Sequence, residues 1–183
     1  VTIFGSARKP QDDSITMGAY DMAARLSREG YAVITGGGHG VMEAANRGAY
    51  EAGGDSIGLN ILLPMEQTLN EYTTENFQFN HFFGRKVAMT LESSAFIYYP
   101  GGFGTFDELF EILALMQTRK IDRAPVILIG SDFWRPFDAA IREIMLDKYH
   151  TITYEETELY RIYDNYDDAI AYINESYRKD KHS

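Results

Sequence analysis

Hydrophobic positions follow two alternating rhythms along this chain. Short, largely apolar stretches at residues 1–4, 31–35, 95–99 and 125–129, and the stretch 56–62, read as strands by their length and composition. Between them lie segments whose apolar residues recur every three or four positions, the spacing of one helical face. These predict helices over residues 14–29, 41–52, 84–92, 106–120, 133–147 and 166–179. In the first, Ile15, Ala19, Met22 and Leu26 share a face and Gly30 is the stop. In the last, Ala169, Ile170 and Ile173 turn inward. Residues 63–83, polar with scattered aromatics, follow neither rhythm.

Strands that are apolar throughout and alternate with helices argue for a parallel sheet covered on both faces, an α/β fold. A chain of 183 residues is long enough for a substantial core, and a single domain over 1–183 is expected. With 45% hydrophobic and 24% charged residues and no repeat or linker, nothing points to a fibrous or disordered class. No apolar run approaches membrane-spanning length and no signal peptide is visible, so no membrane partner is expected and the cytoplasm is the expected compartment. The chain opens on Val1 rather than methionine, and residues ahead of it are expected. A formal charge of -10, without a Lys/Arg stripe, argues against a nucleic-acid partner. The absence of cysteine removes disulfides and thiolate chemistry, and His39, His81, His150 and His182 lack metal-ligand spacing, so no metal is expected.

Three turns carry the candidate chemistry. Gly5-Ser6, Gly36-Gly-Gly-His-Gly40 and Pro100-Gly-Gly-Phe-Gly-Thr-Phe-Asp-Glu108 each follow a predicted strand. In parallel sheets that places them on the ligand-binding rim outside the strands' carboxyl ends. Glycine turns leading into helix starts offer backbone N–H groups and the helix dipole to an anion. The glycine spacing is not that of a dinucleotide fingerprint and no P-loop is present, so a mononucleotide or sugar phosphate fits better than NAD or ATP.

Glu108 admits two readings. Thr105-x-x-Glu108 is a capping-box pattern, in which Thr105 caps a helix and Glu108, with Asp107 in its first turn, reaches back to it. Alternatively, a carboxylate beside a phosphate-binding turn stands where it can stabilise an oxocarbenium-like ribose or polarise water. Glu43 occupies a similar place after the other turn, so paired carboxylates facing one pocket are expected. Adjacent cations Arg85-Lys86 suit either a solvated helix face or a phosphate, for which the arginine fork is well shaped. His39 reads as a turn residue rather than a general base. Phe77, Phe79, Phe82 and Phe83 read as packing or a subunit contact, and Tyr98 and Tyr99 as core.

Taken together, Gly36-Gly-Gly-x-Gly40, Arg85-Lys86 and Pro-Gly-Gly-x-Gly-Thr-x-x-Glu ending at Glu108 resemble the Lonely Guy (LOG) cytokinin-activating phosphoribohydrolases, over a stretch from Gly5-Ser6 to about Trp134. The resemblance implies a Rossmann-like parallel sheet with helices on both faces, and a homodimer or higher homo-oligomer. It implies hydrolysis of the N-glycosidic bond of a nucleoside 5'-monophosphate to free base and ribose 5-phosphate, with no cofactor. It places catalysis on Arg85 and Glu108, and substrate contacts on Gly5, Ser6, Gly37, Gly38, Gly40, Met42, Glu43, Glu66, Lys86, Gly101, Gly102, Phe103, Gly104 and Thr105. Two rival readings use the same pocket: a non-catalytic nucleotide sensor or carrier, and a general nucleotide nucleosidase. Glu43, where the plant-type pattern has a small residue, and the segment Leu62-Leu-Pro-Met-Glu-Gln67 are departures that resemble the bacterial branch. Members have carried the label lysine decarboxylase, but the chain has no Ser-x-His-Lys pyridoxal-phosphate pattern.

Overall fold

The computed structural model describes residues 1–61, 69–91 and 93–180. The elements are β1 (Thr2–Phe4), α1 (Ser14–Arg28), β2 (Val33–Thr35), α2 (Val41–Glu51), β3 (Ser56–Ile61), β4 (Glu75–Phe79) and α3 (Phe82–Leu91). They continue with β5 (Phe96–Tyr98), α4 (Phe103–Gln117), β6 (Val126–Ile129), α5 (Ser131–Ala140), β7 (Arg161–Tyr163) and α6 (Tyr166–Asp180). The strands form one parallel sheet in the order β4-β3-β2-β1-β5-β6-β7. This is the α/β architecture that the strand–helix alternation predicts.

Strand side chains alternate cleanly between two cores. Ile3, Val33, Ile97, Tyr99, Ile127 and Ile129 face a layer of α1, α2 and α6, whose Met22, Leu26, Ala45, Ala49 and Ile173 are buried against them. Phe4, Ile34, Phe96, Tyr98, Val126 and Leu128 face α3, α4 and α5 through Met89, Leu109, Ile112, Met116 and Trp134. Both faces of the central strands are therefore apolar, which is why their sequence shows unbroken runs. Tyr98 and Tyr99 lie in the core, 0% and 1% exposed, with their hydroxyls donating to Glu108 O and Gly18 O.

Three differences from the expected elements have local causes. β4 and β7 are edge strands; Glu75 to Gln78 are exposed, so no apolar run announces them. Strand β3 is described to Ile61, and its expected last residue, Leu62, lies outside the described residues. The helix expected over 133–147 starts at Ser131 and, from Ile141 to Lys148, continues with π-type hydrogen bonding, which carries no hydrophobic signature of its own. Helix α4 begins at Phe103 instead of Phe106. Among the aromatics of the irregular stretch, Phe79 packs on the core while Phe77 and Phe83 are exposed. Among the described residues, no helix is long and apolar enough to cross a membrane.

Candidate active site

β1 lies between β2 and β5, where the strand order reverses, so the segments leaving these three strands meet on one rim. Ser6 N–H donates to Pro100 O at 3.2 Å, and Val41 N–H donates to Ser6 O at 3.0 Å. Gly40 makes that approach possible: it has φ +64°, and a Cβ there would stand 2.3 Å from Ser6 O. Gly5, Ser6 and the two glycine turns are thus brought together as expected.

Arg85 reaches this rim from α3. Its Nε donates to Leu59 O at 2.7 Å, and its Nη2 rests on Gly36, where a Cβ would come within 2.1 Å of it. Met42 borders the same spot, its sulfur 2.8 Å from that position. Burial pulls the guanidinium's pKa below its usual value, and the charge of Glu108 opposes the shift. Lys86, the neighbouring cation, turns to α4 and pairs with Asp107 (2.6 Å) and Glu111 (2.8 Å). Burial pulls its ammonium down, but the bonds to Asp107 and Glu111 and the field of Glu108 outweigh this, and the net shift is upward.

Glu108 is buried, 8% exposed. Burial pushes its carboxyl above the usual carboxylate range, against the pull of Lys86 and Arg85. Among the described residues no hydrogen bond or ion pair ends on this carboxyl group. The capping-box expectation is corrected here. The N-cap of α4 is Gly102, with no side-chain cap bond, and Thr105 and Glu108 lie inside the helix, past its first residues. Thr105 N–H donates to Gly102 O at 3.0 Å, and its hydroxyl packs against Gly101, where a Cβ would clash at 2.1 Å. The chain therefore enters the helix three residues early. Neither Asp107 nor Glu108 is a first-turn acid.

The remaining predicted residues are placed as follows. Gly37, Gly38 and Gly40 are buried in the first turn, Gly101 is half-buried, and Gly102, Phe103 and Gly104 are exposed, Phe103 at 96%. Glu43, in the first turn of α2, is 2.9 Å from His39 Nδ1. The charges acting on Glu108 are Lys86, Arg85, Glu111 and Asp107, so its electrostatic partners come from α3 and α4 rather than from Glu43. Glu66 lies outside the described residues. Sequence reasoning missed two features. Asp107 and Glu111 stand at i and i+4 on one helix, a spacing that signals a shared partner. Asn46 and Asn70 form a buried network under the Gly36 turn, and the only clue was an asparagine beside the buried alanines of α2.

The fold and site define an α/β protein with a half-buried guanidinium and a buried carboxyl on the rim of a Rossmann-like sheet. Residues 42–173 match the family described as "Possible lysine decarboxylase", and the chain belongs to that family, the one that includes the LOG proteins. A probable cytokinin riboside 5'-monophosphate phosphoribohydrolase of Oryza sativa subsp. japonica is 33% identical over 138 residues, 72% of this chain and 54% of that relative. The cytokinin riboside 5'-monophosphate phosphoribohydrolase of Mycobacterium marinum is 28% identical over 153 residues, 81% of this chain and 80% of that protein. The chain spans about half the length of the rice relative. Among solved structures, the molybdenum cofactor carrier protein of Chlamydomonas reinhardtii shares the fold, with TM-score 0.69 and 23% identity over 97% of this chain and 96% of that one.

Proposed function

We propose that this protein hydrolyses the N-glycosidic bond of a nucleoside 5'-monophosphate, AMP or a cytokinin riboside 5'-monophosphate, to free base and ribose 5-phosphate. One observation carries the reading. A half-buried guanidinium, seated on the Gly36 turn, and a buried carboxyl lie in each other's field beside an open helix start. The names of the relatives in rice and Mycobacterium marinum support the substrate class.

In this reading the amides of Gly102, Phe103 and Gly104, which have no acceptor within the helix, hold the 5'-phosphate. Cleavage of the C1′–N bond leaves positive charge on the ribose ring. The Glu108 carboxylate stabilises that charge and orients a water, whose oxygen bonds to C1′ while one of its protons ends on the departing base. An upward-shifted carboxyl suits this task, because a base is most effective with its pKa near working pH. Arg85 donates to the leaving base or to the phosphate through its Nη groups. Lys86, tied to Asp107 and Glu111, holds α3 to α4 and so helps set the spacing of Arg85 and Glu108. Its ammonium is engaged by both carboxylates, whereas a Schiff-base lysine must be free to attack a carbonyl as a neutral amine.

A carrier that binds without chemistry uses the same fold, as the algal protein does by its name. A guanidinium and a buried carboxyl within each other's field are more than simple binding demands. Incubation with AMP and with isopentenyladenosine monophosphate, assayed for base and ribose 5-phosphate, tests the reading. Release from either supports it, release from AMP alone favours a general nucleosidase, and binding without release replaces it with the carrier. A homodimer or higher assembly in the cytoplasm belongs to the same proposal, and light scattering tests the assembly.

A further inference from the structure

Behind the Gly36 turn lies a set of buried polar groups that the reaction above does not use. Asn70, 4% exposed, donates its backbone N–H to Gly37 O at 2.9 Å. Its side-chain Nδ2 donates to Gly38 O and to Asn46 Oδ1, both at 3.0 Å, and its Oδ1 accepts from Tyr72 N–H at 3.1 Å. The last bond fixes the orientation of the amide, since Tyr72 N–H can only donate and Gly38 O can only accept. Asn46, fully buried, accepts from Thr35 Oγ1 and donates to Ser56 Oγ at 2.9 Å. Thr35 Oγ1 in turn accepts from Gly37 N–H at 2.9 Å, which closes the circuit on the turn.

The peptides here are trans, so the C=O of one residue and the N–H of the next point in opposite directions. Asn70 draws the carbonyls of both Gly37 and Gly38 toward itself. The amides of Gly38 and His39 must therefore face the other way. The adjoining residue, Gly36, is the one on which the Arg85 guanidinium rests.

We propose that Asn70 is a positioning residue of the candidate site, which sets the polarity of the Gly36–Gly40 turn so that amides rather than carbonyl oxygens are offered to a nucleoside 5'-monophosphate. The inference rests on the nucleotide-site reading above. Without the Asn70 side chain the Gly38–His39 peptide loses the donor that holds it, while Gly37 O keeps the backbone N–H of residue 70; a flipped Gly38–His39 peptide sets a carbonyl oxygen against an anionic ligand.

The probe is AMP. Asn70→Ala removes the side-chain donor, and Asn70→Asp, of the same size, sets an acceptor against Gly38 O and Asn46 Oδ1. Both should raise KM by about tenfold or more, with kcat per folded molecule within about threefold of the parental value. A group that only supports the fold would lower Tm and leave KM alone, so a parental KM in a folded variant overturns the inference. Should neither variant fold, the 15N-labelled parental protein is titrated with AMP; the Gly38 and His39 amide signals should shift, and unmoved signals overturn it. The parental protein is assayed for hydrolysis alongside. AMP that is bound but not cleaved sinks the hydrolase reading, while the dissociation constants of the Asn70 variants by calorimetry still decide the role of Asn70. A tenfold loss of affinity upholds it, and unchanged affinity overturns it.

Discussion

The two glycine turns look alike in sequence and are built in opposite ways. The Gly36 turn is a finished piece of protein. All of its glycines are buried, Thr35 and Asn70 hold it from below, Gln11 donates to Gly40 O, and Arg85 covers Gly36. The helix behind it already has an acid in its first turn, Glu43. The turn before α4 is unfinished. Gly102, Phe103 and Gly104 are exposed, the N-cap has no side-chain bond, no acid lies in the first turn, and a Cβ on Gly102 or Gly104 would meet nothing within 4 Å. The first turn supplies its own partners, and the second leaves donors and dipole for something from outside to satisfy. The difference separates a turn whose polarity the protein itself fixes, and on which Arg85 rests, from one whose donors lie open.

Substitutions can break or sharpen this contrast. The largest effect is expected from Glu108→Gln, which keeps the helix but removes the charge; turnover of AMP should fall by about 10²–10⁴. Near-parental turnover in that variant would leave Glu108 a structural residue. Next comes the pair Gly36→Ala and Gly102→Ala. The methyl group at Gly36 displaces the flexible end of Arg85 rather than backbone, so the fold should survive while kcat/KM falls by about 10², the scale of a misplacement of about 1 Å. Gly102 has φ -95°, with open space around it, and its alanine variant should stay within about 0.5 kcal/mol of parental stability. Equal activity losses at the two glycines would erase the distinction between the fixed turn and the open one.

Arg85→Lys should act more mildly. It keeps the charge and loses the fork, and kcat and kcat/KM should drop together by about tenfold if Arg85 acts on the transition state. A rise in KM alone would make it a ground-state anchor. The smallest effect concerns stability. Burial raises the carboxyl pKa of Glu108 in the folded state, so its contribution is greatest below the ordinary carboxylate value and is lost as pH rises through the window up to the raised value. Glu108→Gln should therefore melt no lower than the parental protein at neutral pH, with any advantage vanishing on acidification. Thermal melts at a series of pH values check this, and a Gln variant that is less stable at neutral pH than in acid, relative to the parent, contradicts the sign.

The sequence was most legible where burial is two-sided. The runs around Ile3, Ile34, Ile97 and Ile127 read directly as central strands because both of their faces are covered. β4, with Glu75 to Gln78 in solvent, and the short β7 bury few side chains (Phe79, Ile162 and Tyr163), which leaves little trace in the side-chain pattern. At the candidate site, the glycine spacing placed the turns on one rim, and the structure brings Arg85 and Glu108 within each other's field there. The spacing misjudged the start of α4, because Thr105 resembles a cap and only the packing of its hydroxyl on Gly101 shows otherwise. Asn46 and Asn70 are 24 residues apart and meet only through the fold, so no local pattern announced their hydrogen bond.

The pairing of β1 with β5 sets Thr2 opposite Phe96, which closes a loop over about half of the chain. Parallel contacts of such long range form slowly, since loop-closure entropy must be met before any reward appears. The Ser6–Pro100 bond that joins the rim segments exists only after that closure. Competence is consequently among the last properties this chain acquires as it folds. During refolding, helical signal should therefore return ahead of AMP binding, and simultaneous recovery of the two would show that the rim closes together with the rest of the fold.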